Sequence, residues 1–189
     1  MVITLSDKPQ LLKLVFDHKV RMRRRIRWFT DAYFKQVDWS GLQPTSVVIL
    51  RPLPIEELTI KDATLTLDSL QMVTGTYSLD LSGLTSGNLK PLVECRELMT
   101  LNLTDARIKP TVLDEWLIAI VEMYGNRRNC KVTLTAVPTG TYQEPARNAD
   151  TGRYNITSGM EAIWVITHEE SWNEGGKWEF IINDKEYSV

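Results

Sequence analysis

A hydrophobic pattern returns along this chain every 21 or 22 residues, and a recurrence of that length leaves few folds open. Phe34-x-x-Val37-x-Trp39-x-x-Leu42 is followed by Ile55-x-x-Leu58-x-Ile60-x-x-Ala63-x-Leu65 and by Thr76-x-x-Leu79-x-Leu81-x-x-Leu84. Leu98-x-x-Leu101-x-Leu103-x-x-Ala106-x-Ile108 comes next, then a shorter copy, Val132-x-Leu134-x-x-Val137. Within each copy the anchors alternate with polar residues, which is the signature of a strand with one face turned inward. About ten residues remain in each interval to cross the core and return, so neighbouring units would lie side by side as parallel strands. A unit of this size cannot bury its own apolar face. It needs the units on either side, and a continuous core results from the stack.

On these motifs the chain resembles the leucine-rich repeat family, whose LxxLxLxxNxL pattern is matched most fully at residues 98–108 and 55–65. The resemblance covers roughly residues 34–137. It departs at the Asn position, which holds Leu42, Ala63, Leu84, Ala106 and Val137, so the side-chain ladder that serves the turns in that family is missing. The implied fold is α/β: a leucine-rich-repeat-like solenoid with a parallel sheet of about five to six strands, an N-terminal cap, and a C-terminal helix plus strand or hairpin.

The interval after Leu101 lengthens to 31 residues, and TVLDEWLIAIVEMYGN within it predicts a helix. Pro110 suits its start, an apolar stripe runs through Val112, Leu113, Trp116, Leu117, Ile120 and Val121, and Gly125 follows. PTGTYQEPARNADTGRYN reads as an extended loop. Ser158 and Glu161 form a capping box for a second helix carrying Ala162, Ile163, Val165 and Ile166. Two readings stay open for the end. Trp178-x-Phe180-x-x-Asn183 fits the repeat template as a last copy, and WEFII with KEYSV across Asn183-Asp184 fits a hairpin covering the sheet edge. This C-terminal half is similar in style to repeat domains of Bacteroidetes proteins and of phage and prophage virion proteins.

Residues 1–33 read as a basic arm or cap, 34–137 as the solenoid, and 138–189 as a long loop, helix and terminal strand or strands closing the same domain. Ser6 is placed to cap a helix running through Leu11, Leu12, Leu14, Val15 and Phe16. HKVRMRRRIRWFTD then concentrates Lys19, Arg21, Arg23, Arg24, Arg25 and Arg27. With Trp28 and Phe29 interleaved, this patch has the makings of a grip on phosphate or on an acidic partner. Alternation in Val20-x-Met22 and Ile26-x-Trp28 points instead to a capping strand with its arginines in solvent, the favoured reading because terminal repeats need a polar outer face.

Outward positions between the anchors form the candidate recognition surface: Asp38, Thr59, Asp80, Asn102, Thr133 and Glu179, taken as the residues that follow each anchor. Lys61, Asp62, Ser82, Thr104, Asp105, Lys131 and Thr135 flank them. Small polar residues on an open strand face also occur with no partner at all. Tyr142, Tyr154, Trp172 and Trp178 border the long loop as a second lead, for a protein or glycan partner, although packing under the last helix is the commoner fate of tryptophan.

Catalysis finds little support. The two histidines are His18 and His168, and THEESW lacks the second histidine of a zinc-binding HExxH helix. Glu169 and Glu170 are adjacent and diverge on a helix, and no GxSxG, P-loop or GxGxxG sequence occurs. Cys95 and Cys130 read as free, buried thiols, too few for a disulfide scaffold and not a CxxC pair. No cofactor or metal is expected. A net charge of -2 gives no overall pull toward nucleic acid or anionic lipid. No run of 18 apolar residues appears, and MVITLSDKPQLLKLVF lacks the form of a Sec signal, so a soluble chain, in a virion or cytoplasm, is expected without membrane insertion.

The expectation is therefore a non-enzymatic macromolecular binding or assembly module whose partners are proteins, among them other subunits of a larger assembly. The resemblance implies a phage or prophage virion component of the tail, fibre or surface-attachment kind. Two alternatives stand beside it: an intracellular adaptor or regulatory protein using the same face, and nucleic-acid binding through Arg21 to Arg27.

Overall fold

The computed structural model describes residues 34–40, 53–67, 70, 73–123, 125, 127–173 and 175–189, with the backbone of short strands at 2–3, 11–15, 26–28 and 47–49. In chain order the strands are β1 (Val2–Ile3), β2 (Leu11–Val15), β3 (Ile26–Trp28), β4 (Phe34–Asp38), β5 (Val47–Ile49), β6 (Leu53–Thr59), β7 (Val73–Thr74), β8 (Ser78–Asp80) and β9 (Thr100–Leu103). Helix α1 (Pro110–Glu122), strand β10 (Lys131–Leu134), helices α2 (Gly159–His168) and α3 (Glu170–Asn173), and strands β11 (Glu179–Ile182) and β12 (Lys185–Tyr187) complete the fold. The class is α/β, with a mostly parallel sheet and a few helices.

The main sheet runs in the order β12-β11-β10-β9-β8-β6-β4-β2, with β7 attached to β6, and each neighbouring pair along that order is parallel except β11 with β12. Its register answers the periodicity directly. Val37 pairs with Leu58, Leu58 with Leu79, Leu79 with Leu101, Leu101 with Val132, and Val132 with Phe180. All six are buried, so each rung supplies a core residue beside the previous one. A smaller parallel sheet, β1-β3-β5, is made from the segments that precede β2, β4 and β6 in the chain.

The row of strands is longer than the repeat count suggests, because one is added at each end. Residues 11–15 form β2, paired with β4 so that Leu14 meets Val37, and not the Ser6-capped helix. A short run such as LLKLV does not declare its period, and the edge of β4 decides for strand. Ser6 itself lies outside the described residues. At the other end both readings of the terminus hold together: β11 is a parallel rung beside β10 and also the first strand of a hairpin with β12. Asn183 (φ 48°) and Asp184 (φ 63°) make the two-residue turn, both in the left-handed region that this kind of hairpin requires.

The register corrects the template at that last copy. Phe180, not Trp178, is the anchor opposite Val132, and Ile182 stands opposite Leu134. Asn183 is thus a turn residue of the hairpin, and it does not fill the family's Asn position.

The turns that follow β6, β8 and β9 solve the absent side-chain ladder with backbone. Ile60 N–H donates to the Asp80 carbonyl (2.8 Å), Leu81 N–H to that of Asn102 (2.9 Å), Asp62 N–H to that of Ser82 (2.9 Å) and Gly83 N–H to that of Thr104 (2.8 Å). Each turn is thereby tied to its neighbour. Asp62, Gly83 and Asp105 occupy the same place in successive turns, with φ of 53°, 71° and 55°. Asp, Asn and Gly are the residues that visit this region most readily. At Gly83 a Cβ would also run into the Asp62 carboxylate and lie 3.1 Å from its Cα. Gly83→Ala is therefore expected to cost about 1–2 kcal/mol by urea denaturation, the scale of left-handed strain in a non-glycine residue. Asp62→Gly in the same chain should restore part of it, and equal costs with and without that second change would disprove the contact.

Helix α1 starts at Pro110 and buries Leu113, Trp116, Leu117 and Ile120 in the core cluster that also holds the strand anchors. Helix α2 packs beside it and buries Ala162, Ile163 and Ile166. The Ser158 hydroxyl accepts the Glu161 N–H (3.3 Å), as the capping box predicts. Glu161 reaches back to Thr157, accepting its N–H and its hydroxyl at 2.8 Å each, and the backbone bond is the main reason its carboxyl is held below the usual range.

Candidate binding surface

Because strand side chains alternate, the anchors that face the core leave the intervening residues on the opposite side of the sheet. Asp38 pairs with Thr59, Thr59 with Asp80, Asp80 with Asn102, and Asn102 with Thr133, so the structure brings these five candidates into one continuous row. All five are half-buried, so each keeps part of its surface exposed. Glu179 belongs to the neighbouring row, beside Lys131 and in line with Thr100, Ser78, Glu57 and Gln36, while Ile181 stands next to Thr133. This correction follows from the two-residue shift of the last anchor.

The row is tied down by its own hydrogen bonds. The Oδ1 atoms of Asp38, Asp80 and Asn102 each accept the N–H two residues on, from Ser40 (2.8 Å), Ser82 (3.0 Å) and Thr104 (3.0 Å). Such side chains close the end of the strand by imitating a turn. Lys61, exposed, places Nζ 3.1 Å from Asp80 Oδ2, and its backbone N–H donates to Ser40 Oγ (2.9 Å). Asp105 sits in the exposed turn and donates its N–H to Thr135 Oγ1 (2.8 Å). Lys131 Nζ reaches Glu179 Oε1 at 2.7 Å.

Sequence reasoning missed a cross-strand cluster beside this row. Glu57 accepts from the Tyr77 phenol (2.6 Å) and from the Gln36 amide (2.7 Å), and these two bonds hold its carboxyl below the usual value. The same bond to Glu57 pushes the Tyr77 phenol up to about 12. Spacing could have found only part of it: Gln36 and Glu57 sit one repeat apart and pair in register, whereas Tyr77 stands one residue before Ser78, the register partner of Glu57.

Of the basic patch, Arg27 lies in β3, and Arg21, Arg23, Arg24 and Arg25 lie outside the described residues. The aromatic lead is corrected. Trp172 (4% exposed) and Trp178 (3%) belong to the core, where their rings meet edge to face at 6.0 Å, and only Tyr142 and Tyr154 reach the surface. His168, exposed at the end of α2, stacks on Trp164 with ring centres 4.1 Å apart.

Cys95 and Cys130 are free thiols. Burial pushes Cys95 up to about 11 and Cys130 up to about 12, from an ordinary value of 9. Cys130 is buried as expected, while Cys95 is only half-buried. The thiolate being the reactive form, the folded protein at pH 8 should leave Cys130 untouched by a thiol reagent and let Cys95 react slowly, whereas urea should release both. The linkage has a definite sign. From pH 9 upward the unfolded chain loses thiol protons that the folded chain keeps, so stability falls with rising pH over that window. Prompt labelling of Cys130 in the native protein would contradict its buried placement.

Among the described residues no three His, Cys, Asp or Glu side chains converge to hold a metal ion, and no helix is long and apolar enough to cross a membrane. What the surface offers chemically is a preset array of hydrogen-bond donors and acceptors. The chain matches no known protein family, no curated protein and no solved structure.

Proposed function

We propose that this chain is a non-enzymatic binding and assembly module, a leucine-rich-repeat-like solenoid that presents its open sheet face to a protein partner. One observation carries the reading. Parallel sheets are ordinarily covered on both faces, yet here one side holds the core with α1 and α2 while the other bears a partly exposed polar row. At about 4.8 Å per strand the row from Asp38 to Ile181 is roughly 24 Å long, a width suited to a macromolecular surface. Its side chains are already held by the turn bonds and the Lys61–Asp80 pair, so little ordering is left for binding to impose. The similarity in style to phage and prophage virion repeat proteins supports an assembly subunit as the form this module takes.

A photo-crosslinking residue placed at Thr133, with a control at exposed Thr111 on α1, tests the reading in the producing cell. Adducts from position 133 and not from 111 are expected, and capsid or tail proteins in them would identify the assembly. Adducts with a regulatory host protein would favour the adaptor alternative, and equal or absent labelling at the two positions would remove the sheet face as the binding surface.

A further inference from the structure

A cleft of about 680 Å³ opens beside the ends of α1 and α2, on the helical side of the molecule and away from the sheet row, and it falls in the size range of ligand sites. We propose that it binds an extended segment of a partner protein, with a bulky apolar side chain on its floor and a carboxylate against Arg153.

The floor is aliphatic and continuous with the core. Ile118 and Val121 sit one turn apart at the margin of the α1 stripe that carries Leu113, Leu117 and Ile120, and both also pack against the core. Both remain only half-buried. Val165 from α2 completes an aliphatic bed.

The opposite wall comes from the long loop, which is built rather than loose. Asn148 N–H donates to the Arg153 carbonyl (2.8 Å) and Asn155 N–H to that of Ala146 (2.7 Å), folding residues 147 and 154 against each other. The Arg147 guanidinium lies 3.9 Å over the Tyr154 ring, and the Tyr154 phenol donates to Glu169 (3.1 Å). Arg153, by contrast, has no ion pair among the described residues while lining the cleft. An arginine fork unpaired at the rim of an apolar pocket matches a carboxylate, which it holds through two parallel bonds. Arg and Tyr on the walls of an apolar centre are also found among the energetic centres of protein interfaces.

Other occupants fit less well. A glycan or a nucleic-acid base needs an open ring face, and Arg147 already covers that of Tyr154 while Trp172 is buried. Glu122 and Glu169 on the walls balance Arg147 and Arg153, so the cleft has no net positive charge to attract a polyanion. The proposal does not depend on the sheet face binding anything.

N-Acetyl-leucine carries both groups in their smallest form, and N-acetyl-leucinamide lacks the charge. Titrated into the full chain with methyl NMR detection, the acid should shift the Ile118, Val121 and Val165 signals saturably. The amide, and the acid with Arg153→Gln, should each bind about tenfold more weakly, the scale of one charged hydrogen bond. Val121→Lys should abolish the shifts while far-UV circular dichroism stays unchanged. Shifts elsewhere, none at all, equal affinity for acid and amide, or the same methyl shifts from maltopentaose would each overturn the proposal.

Discussion

Leu101→Ala is expected to lower the free energy of unfolding by about 3 kcal/mol, inside the roughly 2–5 kcal/mol that truncating a buried leucine costs. Leu101 is 2% exposed and lies in register between Leu79 and Val132. The hole left behind cannot close readily, because strands on both sides are pinned by parallel ladders. Urea denaturation should show a lower midpoint at unchanged slope. Asn102→Ala, one residue on, should cost no more than about 1 kcal/mol, since it loses only bonds to Thr104 on the open side. In a stack of rungs, Leu79→Ala with Leu101→Ala should depart from additivity, while Leu58→Ala with Leu101→Ala, two rungs apart, should add. A cost below about 1 kcal/mol for Leu101→Ala would mean that the anchors are not stacked as described.

The central strands were legible because two independent signals agree there, the alternation within each copy and the spacing between copies. At the ends one signal was lacking. In Leu11–Val15 the apolar residues are nearly continuous, so only the partner strand β4 selects the conformation. At β11 the difficulty was of another kind. Trp178 and Phe180 point to the same side, both are buried, and their rings stack at 6.0 Å. A shift by two residues keeps every side chain on its own face, so the hydrophobic pattern is blind to it and only the pairing reveals it.

The polar row was readable for the same reason as the core, being its complement along each strand. The bonds that fix it were less visible, since whether Asp80 closes its own turn or waits for a partner depends on φ and ψ after the strand. The cleft was not readable at all. Its walls come from α1, the 147–156 loop, the end of α2 and α3, four segments whose proximity is a product of helix packing. Trp172 was legible as a large apolar residue, but its burial depends on meeting Trp178 across the α3–β11 connection.

Asp114 on α1 ties the loop and the start of α2 to that helix, and Asp114→Ala should cost roughly 2–3 kcal/mol. Asp114 Oδ1 accepts the Thr139 N–H (2.9 Å) and the Gly159 N–H (3.1 Å), while Oδ2 accepts the Thr139 hydroxyl (2.5 Å). Gly159 opens α2, so its N–H is among those a helix cannot satisfy itself, and a negative charge there also suits the helix dipole. The approach is close enough that a Cβ on Gly159 would run into Asp114 and into Pro138, which explains glycine in the first turn of a helix. Removing the carboxylate leaves a buried N–H with no acceptor, whereas Asp114→Asn keeps one acceptor oxygen and should cost about half as much. Hydrogen exchange separates this from a general loss of stability. Amides of Gly159 to Ile163 should lose protection first, while those of β6 to β9 hold theirs, because the rungs do not depend on this contact. Uniform loss across both regions would show that Asp114 supports the whole fold and not the seating of α2.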